Sequence, residues 1–148
     1  MKMLVNATNL VVGGGVQVAL SFIHELMNFP DNEYHIFLSK EVASQLKIEQ
    51  FSDNFSFYTF KHSPAGLRKR RTVVSRLKKL ENEIQPEVVI SVFGPSYWRP
   101  SSPHVMGFAL VWCIYPESDA YKLLNPVKRV LRRLACLYKR YFVIRDAD

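Results

Sequence analysis

Short apolar runs alternate along this chain with stretches whose apolar residues recur every three or four positions. Residues 3–7 and 34–38 read as buried strands, and 55–60 as a third in which aromatic residues are interspersed with Ser56 and Thr59. Residues 88–93 are apolar apart from Ser91, as befits the middle of a parallel sheet, and 105–111 form another such run. Between these runs, Val16, Leu20, Ile23 and Met27 mark a helix over 16–29, and 41–48 a short one. Val73, Leu77, Leu80 and Ile84 share one face of a helix that Pro86 ends. Asn125-Pro126 is an N-cap followed by proline at the first helical position, and it opens a last helix. Val127, Val130, Leu131, Leu134 and Tyr138 lie on one side of that helix. Lys128, Arg129, Arg132, Arg133, Lys139 and Arg140 lie mostly on the other. The alternation predicts an α/β domain over residues 1–148: a Rossmann-like parallel sheet flanked by helices.

Composition narrows the function classes. The longest apolar run, 105–114, is about half of the ~20 residues that cross a bilayer, and polar residues and glycines interrupt the N-terminal segment. Two cysteines and four scattered histidines show neither a disulfide framework nor metal-ligand spacing. These features predict a cytoplasmic protein without a metal or cofactor. Charge adds an asymmetry. Seven basic residues and no acid lie between Arg68 and Lys79, and eight more, again without an acid, between Lys122 and Arg145. The remainder is net acidic. Two basic patches on an acidic body point to an anionic partner, either a phosphate-bearing substrate or an acidic lipid surface. Nucleic acid is disfavoured, since neither a recognisable module nor aromatic interleaving accompanies the charge.

Two loops carry the candidate chemistry. After the first strand, Gly13-Gly14-Gly15 removes Cβ atoms where a strand passes into a helix, so that backbone amides can approach an anion closely. Neither better-known glycine signature fits. Val18 stands where a dinucleotide fingerprint needs its third glycine, and no lysine follows for an ATP-type phosphate loop. After the fourth strand, Ser96, Tyr97, Trp98 and Arg99 combine a hydroxyl, two aromatic faces and a fixed positive charge, a set suited to a sugar or a phosphorylated acceptor. The ordinary alternative is a rigid, proline-bounded loop whose tryptophan packs on the domain. Glu117 and Asp119 are a possible acid pair, although two loop carboxylates are more often solvated. His104 precedes a strand and lies close to the same loops in the chain.

At Gly13-Gly14-Gly15-Val16-Gln17, with a strand ahead and an apolar helix behind, the sequence resembles the group 1 glycosyltransferases, retaining enzymes of GT-B architecture. The runs at 88–94 and 103–105 fall where that family places its later N-terminal strands, and Asp146-Ala147-Asp148 resembles the close of its N-terminal domain. The resemblance implies an acceptor-side half, with the nucleotide-sugar donor held chiefly by a C-terminal domain that these residues lack. It implies that Gly14 and Gly15 lie against the donor diphosphate. Trp112-Cys113 stands near where family members often carry a histidine, and no catalytic residue is assigned.

The expectation is therefore sugar transfer from a nucleotide sugar to a glycan or lipid-linked acceptor, incomplete in the isolated chain. Gly14, Gly15, Ser96, Tyr97, Trp98 and Arg99 would bind substrate. Arg129, Arg132, Arg133 and Arg140 would meet an anionic membrane surface, placing the protein peripherally at its inner face. The competing expectation is a non-catalytic Rossmann-like module that binds an anionic ligand or partner.

Overall fold

The computed structural model describes residues 1–115 and 118–148. Strand β1 (Lys2–Ala7) leads through the glycine turn into helix α1 (Gly14–Glu25). Strand β2 (Glu33–Ser39) runs into the one-turn helix α2 (Lys40–Ala43), and strand β3 (Phe55–Phe60) precedes helix α3 (Arg70–Ile84). Strands β4 (Val88–Ser91) and β5 (His104–Met106) follow, then a short helix α4 (Val111–Ile114) and the 21-residue helix α5 (Pro126–Asp146). The five strands form one sheet in the order β3-β2-β1-β4-β5, every pairing parallel. The order reverses between β1 and β4, which opens a crevice at their carboxyl ends, the place where open sheets of this kind bind ligands.

Alternation along the strands builds two apolar layers. Val5 and Ala7 of β1 and Tyr34, Ile36 and Leu38 of β2 pack with Val16, Ala19 and Ile23 of α1. On the opposite face, Leu4, Phe37 and Val89 pack with Val73, Leu77 and Ile84 of α3, and Trp98 joins them. The rotation of α1 differs from expectation. Ala19 and Leu26 are buried, whereas Met27 is exposed, because the chain tightens into a single 3-10 turn at Leu26–Asn28 before β2.

The fifth strand is shorter than the apolar run suggests. It ends at Met106, and Gly107 replaces further side-chain pairing with two close backbone contacts. Its N–H donates to Ser91 O at 3.0 Å, and its carbonyl accepts from Gly94 N at 2.7 Å. A strand with one neighbour and an exposed Val105 gains little by continuing. Its outer edge is covered by the chain end, where Asp148 N donates to His104 O and Asp148 Oδ2 accepts from His104 N.

Helix α5 begins as expected, with Asn125 Oδ1 accepting from Lys128 N at 2.8 Å. Its apolar stripe, however, is turned to solvent. Val127, Val130, Leu131 and Leu134 are each more than half exposed, and the helix buries only Phe142 and Asp146 near its end.

Candidate functional site

The glycine turn and the loop after β4 meet at the crevice between β1 and β4. Asn9 joins them directly, its Nδ2 donating to Phe93 O at 2.7 Å and to Pro95 O at 3.0 Å. A cleft of about 360 Å³ opens there, lined by Asn9, Leu10 and Gly15 on one side and by Phe93, Pro95 and Tyr97 on the other, with Lys139 of α5 reaching in. Gly13 adopts φ 65°, which disfavours any side chain, and it starts α1 without a side-chain cap. Val16 N donates back to Gly13 O at 3.1 Å, and no side chain caps the Gly14 and Gly15 amides ahead of it. A Cβ on Gly14 would meet open space, while one on Gly15 would come within 3.4 Å of Leu10 Cδ2. The space beside Gly14 is therefore open, and no packing demand explains that glycine.

The loop after β4 separates its four candidate residues. Ser96 and Trp98 turn inward. Ser96 Oγ donates to Trp98 O at 2.7 Å and accepts from Trp98 N, which closes a tight turn. The Trp98 ring is 1% exposed and belongs to the core beneath α3. Neither presents the face or hydroxyl that the sequence suggested, because the apolar ring is better satisfied by Phe37 and Val89 than by water. Tyr97, at φ 57°, stands between two clefts and lines both. Burial pushes its phenol pKa up, and the Arg70 guanidinium above the ring opposes that shift. Arg99 is exposed at the rim of the second cleft.

That second cleft, about 670 Å³, lies between α3 and the end of α5, and Arg70, Arg71, Lys78, Arg99 and Arg145 converge on it. Three of these belong to a charge run in α3, and only the fold brings them to Arg99 and Arg145. Among the described residues, two buried side-chain polar atoms lack a hydrogen-bond partner: Asn9 Oδ1 and Trp98 Nε1. Each belongs to a residue lining one of the two clefts. No motif in the sequence marks Asn9.

Beneath the loops, a buried polar chain ties β1, β4, β5 and α5 together. Asn6 Nδ2 donates to Ser91 Oγ at 3.0 Å, and Ser91 Oγ meets His104 Nε2 at 2.8 Å. His104 Nδ1 donates to the Asp146 carbonyl, so Nε2 is left as the acceptor for the serine hydroxyl. Burial holds the His104 pKa below its ordinary value, against the pull of that carbonyl. A neutral, fully engaged imidazole holds the sheet together, and it does not face the cleft. Asp119 is exposed and paired with Lys122 at 2.6 Å, while Glu117 lies outside the described residues. The Cys113 thiol is buried beside Cys136, and burial, with that contact, pushes its pKa up to about 11, so it is no thiolate nucleophile near neutral pH.

The four arginines of α5 divide as well. Arg129 donates to the carbonyls of Tyr121, Lys122 and Leu124, and so fastens the preceding turn to the helix. It is half-buried, with its guanidinium engaged by those carbonyls. Arg132, Arg133 and Arg140 are exposed. No protein-family model matches the chain, and a search of curated proteins returns no match. No helix among the described residues is long and apolar enough to cross a membrane.

Proposed function

We infer that this domain is the acceptor-side half of a GT-B glycosyltransferase, which moves a sugar from a nucleotide sugar to a glycan or lipid-linked acceptor. One observation carries the reading. Gly15 at the uncapped start of α1 and Asn9, whose buried Oδ1 has no partner among the described residues, both line the crevice at the β1–β4 reversal, and Gly14 stands next to Gly15 with open space around it. Amide donors there suit a diphosphate, and a buried carbonyl oxygen suits a sugar hydroxyl. The electrostatic task of such a rim is to stabilise charge developing on a leaving diphosphate. The donor nucleotide is held chiefly by a second domain in this reading, so the 148-residue chain binds nucleotide sugars weakly and transfers none.

Amide chemical shifts of the labelled chain, titrated with a panel of nucleotide sugars, test this. Shifts should gather at Asn9, Gly14 and Gly15. Because a Cβ on Gly14 meets no protein atom within 4 Å, Gly14→Ala should leave melting nearly unchanged and weaken the response about tenfold. Sugar transfer by the chain alone, or shifts confined to a different edge of the sheet, would reject the reading.

The outward-facing stripe of α5 favours an anionic membrane as the partner surface. Its apolar residues would enter the lipid boundary, and Arg132, Arg133 and Arg140 would meet acidic headgroups at roughly 1 kcal/mol each within a Debye length. Co-sedimentation with acidic vesicles should be strong at low salt, absent with neutral vesicles, and lost on Arg132→Glu with Arg133→Glu. Protein that stays in the supernatant with acidic vesicles at low salt would show that another surface covers the stripe.

A further inference from the structure

We propose that the cleft between α3 and the end of α5 is a binding site for the phosphate group of a phosphate or diphosphate ester. The proposal stands on the residues of this cleft and is independent of sugar transfer at the β1–β4 crevice. Arg70 and Arg71 come from the first turn of α3, Lys78 from two turns further on, Arg99 from the loop after β4, and Arg145 from α5. No carboxylate is among the residues that line it. Asp146 lies beneath the cleft, fully buried and already paired with Arg145. Cations gathered in one concavity repel one another, and a polyanion relieves that repulsion.

The arrangement is fixed before any ligand arrives. Arg70 Nε donates to Pro64 O at 2.8 Å, Nη2 to Ala65 O at 3.1 Å, and Nη1 to Tyr138 Oη at 2.6 Å. Its guanidinium also stacks 4.7 Å above the Tyr97 ring. Those three bonds leave two of the five guanidinium N–H groups, on a side chain whose ordering is already complete. Trp98, nearly fully buried, lines the same cleft with an indole N–H that has no partner among the described residues. The lining thus offers donors and positive charge, and the complementary group is rich in acceptor oxygens and negatively charged. A bare phosphate is far smaller than 670 Å³, and Val74, Tyr97 and Phe142 supply an apolar wall for the organic part of an ester.

Calorimetric titration of the 148-residue chain with inorganic pyrophosphate tests the site. Saturable binding is expected, and Arg71→Glu combined with Arg99→Glu should weaken it by at least about tenfold. Both residues are exposed, and an unchanged melting curve will show that the variant is folded. A charge-matched control, Lys40→Glu with Lys47→Glu, reverses two exposed cations outside the cleft and should leave binding intact. A second arm titrates a short-chain phosphatidic acid below its micelle concentration. Tighter binding of that lipid than of pyrophosphate, lost in the same double variant, supports the site and assigns its phosphate to a lipid headgroup. The reverse order supports the site and assigns it to a soluble phosphate. Failure of both ligands to saturate the chain, or equal weakening by the control reversal, overturns the proposal.

Discussion

Replacing Trp98 with alanine lowers the stability of the domain by about 3–5 kcal/mol, the range for deleting a large ring from a close-packed interior. The indole is 1% exposed and packs in the layer formed by Leu4, Phe37, Val73, Leu77 and Val89. Its nearest aromatic neighbours are Phe37 and His104, with ring centroids 6.3 and 6.4 Å away. Removal leaves a void under α3, and the sheet and helix cannot both collapse into it while the strand register is kept. Urea denaturation of wild type and variant gives the difference directly. A surface tryptophan used only to stack on a ligand would change stability by less than about 0.5 kcal/mol. That outcome would restore the ligand-facing reading and remove Trp98 from the core.

Gly107→Ala destabilises the domain by about 3 kcal/mol, the upper part of the range for forcing extra volume into a packed site. An added Cβ overlaps the Val92 carbonyl oxygen and comes within 3.3 Å of Phe93 Cδ1. The obstacle is backbone, so it yields only by breaking the hydrogen bonds from Gly107 N to Ser91 O and from Gly94 N to Gly107 O. Gly94→Ala is a useful contrast. Its Cβ meets side-chain atoms only, Sδ and Cγ of Met106 and Cγ2 of Val143, and the methionine is flexible enough to re-pack. Thermal melts should therefore rank Gly107→Ala well below Gly94→Ala. The opposite order would mean that β4 and β5 do not approach each other as described.

The two substitutions also test the same structural idea from different sides. The loop after β4 is held from beneath by the Trp98 ring and from the side by the Gly107 backbone. Tyr97, which separates the two clefts, takes its position from both. A loss of packing at either point should loosen the clefts together, which gives stability and ligand binding a common origin in this part of the chain.

Much of the architecture was legible in the order of residues. Period-two and continuous apolar runs marked β1 to β4, because a strand must bury its alternate side chains, or all of them when both faces are covered. Asn125-Pro126 fixed the start of α5 through local chemistry alone, since a cap needs only its own three following residues. The glycine turn was legible for the same reason: Gly13 has a backbone conformation that few other residues adopt. Given strands separated by helices, parallel pairing followed from the length of the connections.

Long-range packing decided the rest. Glu81 of α3 is a buried carboxylate that no local pattern marks, and its Oε1 accepts from the Ser101 and Ser102 amides twenty and twenty-one positions away. Trp98 looked equally suited to a ligand or a core, and only the proximity of Phe37 and Val89 drew it inward. The apolar stripe of α5 has a period that predicts burial, but periodicity states which residues share a face and says nothing of what meets it. Similarly, Arg70, Arg71, Lys78, Arg99 and Arg145 are spread over 75 positions, and no local pattern links them. The fold gathers them into one cleft, lined together by α3, the loop after β4 and the end of α5. Local chemistry determined the elements of this protein, and the contacts between distant elements determined its clefts.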